Sequence, residues 1–162
     1  MLGGEGVTCW TGDAIQMVVR TPTLVELYWS RVGRDPALTC WPWVGALSDH
    51  GHGRFWVAGR CVGAHRIGWA LAHPDTPLPE MVTHDCDTPS CQNPAHLRAG
   101  NVTSNNAEYR ARAGMPGSPL NDRRGARRRA VALREAILDG GDVRRAAQEG
   151  MSDLDRFQPP LF

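Results

Sequence analysis

No lysine occurs among the 162 residues of this chain; all 18 of its basic positions are arginine. GC-rich coding produces such a bias by itself. The chemistry also differs, because arginine's planar fork grips a phosphate at two points where an ammonium acts as a point charge. Long apolar runs are missing too. Stretches such as Met17–Val19 and Ile67–Ala72 fall far short of the ~20 residues a membrane-spanning helix needs, so a soluble protein with no membrane partner is expected. Met1 to Trp10 carry glycines and Glu5 where a secretion signal has a basic start and an apolar stretch, which predicts a cytoplasmic location. The five cysteines do not make an even set. In a reducing compartment that argues against a disulfide framework and for metal ligation.

What is present has the make-up of one ordinary globular domain with an appended segment, 41% hydrophobic and 22% charged. That excludes fibrous and wholly disordered classes. The formal net charge of +1 conceals a local imbalance. Between Arg110 and Arg134 eight arginines face a single acid, Asp122, whereas from Glu135 onward three arginines face six acids.

The pattern along the chain predicts an α+β protein. Thr21–Gly33 reads as a helix opened by a Thr23/Glu26 capping box and stopped by glycine. Short strands flank Ala58-Gly59-Arg60 as a hairpin. His65–His73 has helical spacing and ends at Pro74. Met81–Thr83 forms a short strand, and Ser104–Ala113 a helix closed by Gly114. Met115–Leu120 is a Gly/Pro/Ser linker, followed by helices over Arg127–Leu138 and Asp142–Glu149. Trp29, Trp41, Trp43, Trp56 and Trp69 are expected mainly in core or metal-shell packing, with base stacking as the alternative. The divisions are a helical N-terminal extension over 1–35, a central unit over 36–114 and an Arg-rich helical C-terminal extension over 115–162.

The informative segment is Thr83–Leu97, THDCDTPSCQNPAHL, in which four residues separate Cys86 from Cys91 and Cys91 from His96. Zinc takes a tetrahedral set of thiolates and imidazoles, and a compact loop wraps it only if its ligands recur at short intervals. For the fourth ligand Cys40, beside Trp41-Pro42-Trp43, is the first candidate, Cys61 its rival and Cys9 a distant third. On a strand entering this loop, His84 faces away from the zinc, and a neutral imidazole there can accept a proton from water. Asn105, nine residues beyond His96, opens the next helix with an amide oxygen suited to a hard cation such as magnesium.

With CWPW, GHGRF, GAHRIGWAL, THDCD, PSCQNPAHL and the following SNN, the region Cys40–Gly114 resembles the HNH endonucleases, and within them the His-Cys box homing endonucleases and phage-type HNH nucleases. The resemblance implies a small ββα-metal core, stabilised by one structural zinc and flanked by N-terminal and C-terminal helices. It implies His84 as general base and Asn105 as ligand of a catalytic magnesium or other divalent cation. Cys40, Cys86, Cys91 and His96 become the zinc set, and Asn93 props the loop. The implied activity is hydrolysis or nicking of double-stranded DNA, leaving 5′-phosphate and 3′-hydroxyl ends. An arginine at the phosphate is expected, Arg66 ahead of Arg60. Arg54, Arg60, Arg123, Arg124, Arg127 and Arg128 are expected on the DNA. Thr83 stands where many HNH enzymes place a second metal-binding aspartate, a residue the His-Cys box group also lacks. Val131–Met151 could form a shortened helix-turn-helix, or the tail, through Phe157, Leu161 and Phe162, could close a homodimer. The rivals are a zinc-stabilised DNA-binding module that does not cut, and a redox or zinc sensor using Cys9 and Cys61.

Overall fold

The computed structural model describes residues 12–158, so Cys9, Leu161 and Phe162 lie outside it. The described chain is α+β, with two small antiparallel sheets among its helices. No helix of the described residues is long and apolar enough to cross a membrane.

Helix α1 (Gly12–Arg20), which the sequence did not advertise, buries Ile15 and Val18. Helix α2 (Pro22–Trp29) starts two residues earlier than the Thr23/Glu26 capping box requires, with Thr21 at its N-cap and Pro22 in its first turn. Proline's fixed φ and missing N–H favour that position, so it sets the start. The Thr21 hydroxyl donates to the Met17 carbonyl at 2.7 Å, closing the α1–α2 joint. Gly33 does not stop the helix, which ends at Trp29. Its role is close packing, since a Cβ there would lie 2.6 Å from Ile137 Cδ1 and 3.1 Å from the Pro42 carbonyl oxygen.

These helices share the core of the central unit. Ile15, Val18, Tyr28, Trp43, Phe55, Val62 and Ile67 are all fully buried in one cluster. The rings of Tyr28, Trp43 and Phe55 form a triangle, with centroid distances of 5.4, 6.1 and 6.4 Å. Strands β1 (Arg54–Val57) and β2 (Arg60–Gly63) form the expected hairpin. Ala58 and Gly59, at φ 47° and 73°, supply the two left-handed residues of a two-residue turn whose twist suits the strands. Phe55 and Val57 point inward while Trp56 is exposed. Helix α3 (Ala64–Ala72) follows and buries Ile67, Trp69 and Ala70.

Strand β3 (Met81–His84) pairs antiparallel with β4 (Leu97–Gly100), His84 opposite Leu97. The cysteine-containing loop joins them, and α4 (Val102–Arg112), opened by an Asn101/Ser104 capping box, comes directly after. The C-terminal part forms α5 (Gly125–Leu138), α6 (Val143–Gln148) and α7 (Asp153–Arg156). Leu133, Val143, Ala146 and Ala147 make its own small core, joined by Leu38 from the N-terminal side. Val131–Met151 spans the end of α5, the Gly140-Gly141 turn and the six-residue α6. Phe157 is 86% exposed.

Gly68 sits where α3 crosses Tyr28, and a Cβ there would lie 2.4 Å from the Tyr28 hydroxyl oxygen. That hydroxyl donates to Gln92 Oε1 at 3.0 Å inside the core. Gly68→Ala is therefore expected to displace Tyr28, orphan the buried Gln92 oxygen and cost ~1–3 kcal/mol. Thermal denaturation should show a midpoint lower by about 2–10 °C; an unchanged midpoint would refute the contact.

Candidate functional site

Cys40, Cys86, Cys91 and His96 come together as a cluster whose ligand atoms all lie within 4.8 Å of one another, a set that could hold a metal ion such as zinc. His96 Nδ1 stands 3.7 Å from Cys40 Sγ and 3.5 Å from Cys91 Sγ. Ligand bonds of ~2.0–2.3 Å in a tetrahedron give edges of roughly 3.5 Å, so these separations suit a small thiophilic ion. Cys40, not Cys61, completes the set; Cys61 is buried in β2.

Backbone pairing delivers Cys40. Residues 41–43 run between two segments: Gly33 N–H donates to the Pro42 carbonyl and Val44 N–H to that of Arg31, while Trp43 N–H donates to Ser90 and Gln92 N–H to Trp41, each at 2.8 Å. Asn93 ties the two ligand-bearing segments directly, its side-chain N–H donating to the Thr39 carbonyl at 2.8 Å. Its Oδ1 caps the short turn Pro94–His96 by accepting from Ala95 N–H. The thiols share their protons unequally. Hydrogen bonds from the Cys86 and Cys91 thiols pull Cys40 far down toward the thiolate, and sharing those protons pushes Cys86 up and Cys91 to about 12. Three adjacent thiolates are tolerable only around a positive ion.

His84 leaves the cluster on the other side of β3 and lines a cleft of about 880 Å³, together with His52, His65, Arg54 and Asn105. Its Nε2 lies 3.0 Å from the Cys91 carbonyl oxygen. Because a carbonyl only accepts, Nε2 must carry the proton, which leaves Nδ1 as the base nitrogen. Three imidazoles crowd here, with ring centroids of His52, His65 and His84 5.1–5.8 Å apart. Burial, reinforced by His52, pushes His84 down to about 3. Burial also lowers His52 to about 4, helped by His50, and holds His65 well below the ordinary range. The triad is thus neutral at pH 7. His52 and His65 stand within GHGRF and GAHRIGWAL, yet spacing alone gave no sign that they would meet His84.

The arginines divide. Arg54 lines the cleft. Arg66 also borders it, but its guanidinium is tied to the carbonyls of Glu80 and Pro79 at 2.8 and 3.1 Å, holding the loop before β3 rather than reaching for a ligand. Arg124 is likewise turned inward, paired with buried Asp122 at 2.7 Å and donating to the Ala146 carbonyl at 2.8 Å; that local partner outcompetes a distant one. Arg129 binds Asp122 and the Ala147 carbonyl. Arg60, Arg123, Arg127 and Arg128 are exposed.

Two proteins of Escherichia phage T7 are similar to this chain. "Protein 2.8" is 35% identical over 71 residues, covering 43% of this chain and 48% of its own length. "Protein 7.7" is 35% identical over 69 residues, covering 43% and 53%. The chain thus aligns with about half the length of each of these curated relatives. No family model and no solved structure matches.

The cluster predicts that about one metal ion per chain copurifies. Cys40→Ser should lose it and Cys61→Ser should keep it, as read by native mass spectrometry. Equal metal content in both variants would refute the ligand set.

Proposed function

We propose that this protein is a metal-dependent DNA endonuclease or nickase of HNH type, with a ββα-metal core in which Cys40, Cys86, Cys91 and His96 hold a structural zinc. The observation that carries the reading is the meeting of His84 and Asn105 in one cleft, on a strand–strand–helix unit whose connecting loop holds the Cys/His cluster. The similarity to two phage proteins fits work on DNA in the cytoplasm of an infected host.

In this reading a DNA strand lies across the cleft. His84 Nδ1 takes a proton from water, whose oxygen forms a bond to the scissile phosphorus while the bond from phosphorus to the 3′ oxygen breaks. The products carry 5′-phosphate and 3′-hydroxyl ends. The Cys91 carbonyl, accepting from Nε2–H, keeps the imidazole in the tautomer this step needs and stabilises the imidazolium that forms. The donor set suits magnesium: Asn105 offers a hard amide oxygen at the cleft, and phosphate oxygens and water supply the rest. When bound, such a cation neutralises charge developing on the phosphate and on the departing 3′ oxygen. Arg54, already in the cleft, takes the phosphate-contacting role first expected of Arg66. Arg60, Arg123, Arg127 and Arg128, which are exposed, neutralise flanking phosphates and make binding salt-dependent.

Supercoiled plasmid incubated with the protein and magnesium tests the reading. Wild type should nick it, and His84→Ala should slow nicking by ~10²–10⁴-fold with DNA affinity retained. DNA binding without cutting, across magnesium, manganese and other divalent ions, would leave a zinc-stabilised DNA-binding module instead.

A further inference from the structure

Four consecutive residues, His84-Asp85-Cys86-Asp87, divide between the cleft, which His84 and Asp87 both line, an ion pair on β4 and the metal cluster. His84 enters the cleft and Cys86 the metal cluster. Asp85 pairs with Arg98 on β4. Asp87, turned by a left-handed backbone at φ 50°, takes both arms of the Arg112 guanidinium at 2.7 and 2.9 Å.

Arg112 is the last residue of α4, the helix that carries Asn105, and no residue of that helix is buried. Apolar packing therefore does not decide where α4 sits. Its polar ties to the β3–β4 unit include Glu108 to Arg98 at 3.0 Å and Arg112 to Asp87. The first is substantially exposed, and such pairs contribute little. The second is sheltered, with the Arg112 and Asp87 side chains 15% and 6% exposed. Asn105, Glu108 and Arg112 recur at helical spacing on one face, about two turns from end to end, so the clamp grips the same face that presents Asn105.

We propose that Asp87 and Arg112 are positioning residues: their pair couples the metal-binding loop to α4, fixing Asn105 opposite His84 and thereby setting the cleft's affinity for its divalent cation. The role in cation binding rests on the nuclease reading; the mechanical coupling does not.

The test uses the full zinc-loaded chain with Asp87→Asn, Arg112→Met and Arg112→Lys. Amide hydrogen exchange over 102–112 should quicken by at least ~10-fold in the first two variants, while zinc stays at one per chain and exchange over 88–97 stays slow. The half-saturating manganese concentration for plasmid nicking should rise ~10–100-fold, with DNA affinity in the absence of divalent ions unchanged and Arg112→Lys recovering part of the loss. Unchanged exchange would overturn the coupling. Faster exchange with unchanged manganese dependence would overturn the positioning role. If wild type never nicks DNA, the nuclease reading fails on its own, and exchange alone still decides whether the clamp exists. Arg112 lies outside the metal loop, so its variants remain decisive even if Asp87→Asn loses zinc.

Discussion

Three sulfurs and an imidazole confined within 4.8 Å of one another form the constraint on which the rest of this structure depends. Without a cation at most one of the thiols can ionise, held by protons shared from the other two. With one, all three become ligands and a loop that buries Thr88, Ser90 and Gln92 acquires a centre. The loop has little else to fold around, since its buried residues are mostly small or polar. Its closure also depends on a strand far away in sequence, because Cys40 arrives through the Pro42–Cys91 bridge. That strand is in turn gripped by the residues following α2. A metal at this point therefore joins the N-terminal helices, the β3–β4 unit and the loop into one body.

A second electrostatic constraint acts on the opposite side of β3. Three imidazoles this close cannot all be charged in a partly dehydrated cleft, and burial together with His52 lowers the pKa of His84. The basic C-terminal segment obeys the same logic. Asp122 sits beside Gly150, where a Cβ would lie 1.9 Å from its Oδ1. Although burial raises its pKa, the hydrogen bonds from Arg124 and the charge of Arg129 hold that carboxyl below the usual range. Two of the segment's arginines are used to keep this acid buried and α5 against α6. Arg123, Arg127 and Arg128 of the same segment are exposed instead.

The parts legible in the sequence were those written in local chemistry. The hairpin followed from the Ala58-Gly59-Arg60 tip, of which Arg60 turns out to open β2, α3 from apolar spacing bounded by proline, and α4 from its closing glycine, though it starts at Val102 rather than Ser104. The Cys86–Cys91–His96 spacing fixed three ligands because metal geometry restricts loop length. What stayed hidden was decided by tertiary pairing. Strand β4 is a four-residue segment, LRAG, that is extended only because β3 lies beside it. Helix α1 showed no strong cap, and its packing on α3 places it. Cys40 and Cys61 could be separated only by the segment between Gly33 and Ser90, and the histidine triad only by the packing of α3, which carries His65, on β3. Arg66 and Arg124 carry the same charge as their exposed neighbours; nothing local reveals that carbonyls and a buried acid had claimed them.

Helix α4 brings Asn105 to the lining of the cleft and buries none of its residues. An unburied helix of eleven residues has little stability of its own, since helices of that length are marginal in water. Its position must be set from outside by directional contacts, and the bidentate Asp87–Arg112 pair is the sheltered one available. Because Asp87 directly follows Cys86, order in the metal loop is passed to the helix by a single turn of backbone held in a left-handed conformation. The cluster that closes the loop thus also governs, through one ion pair, how far Asn105 stands from His84.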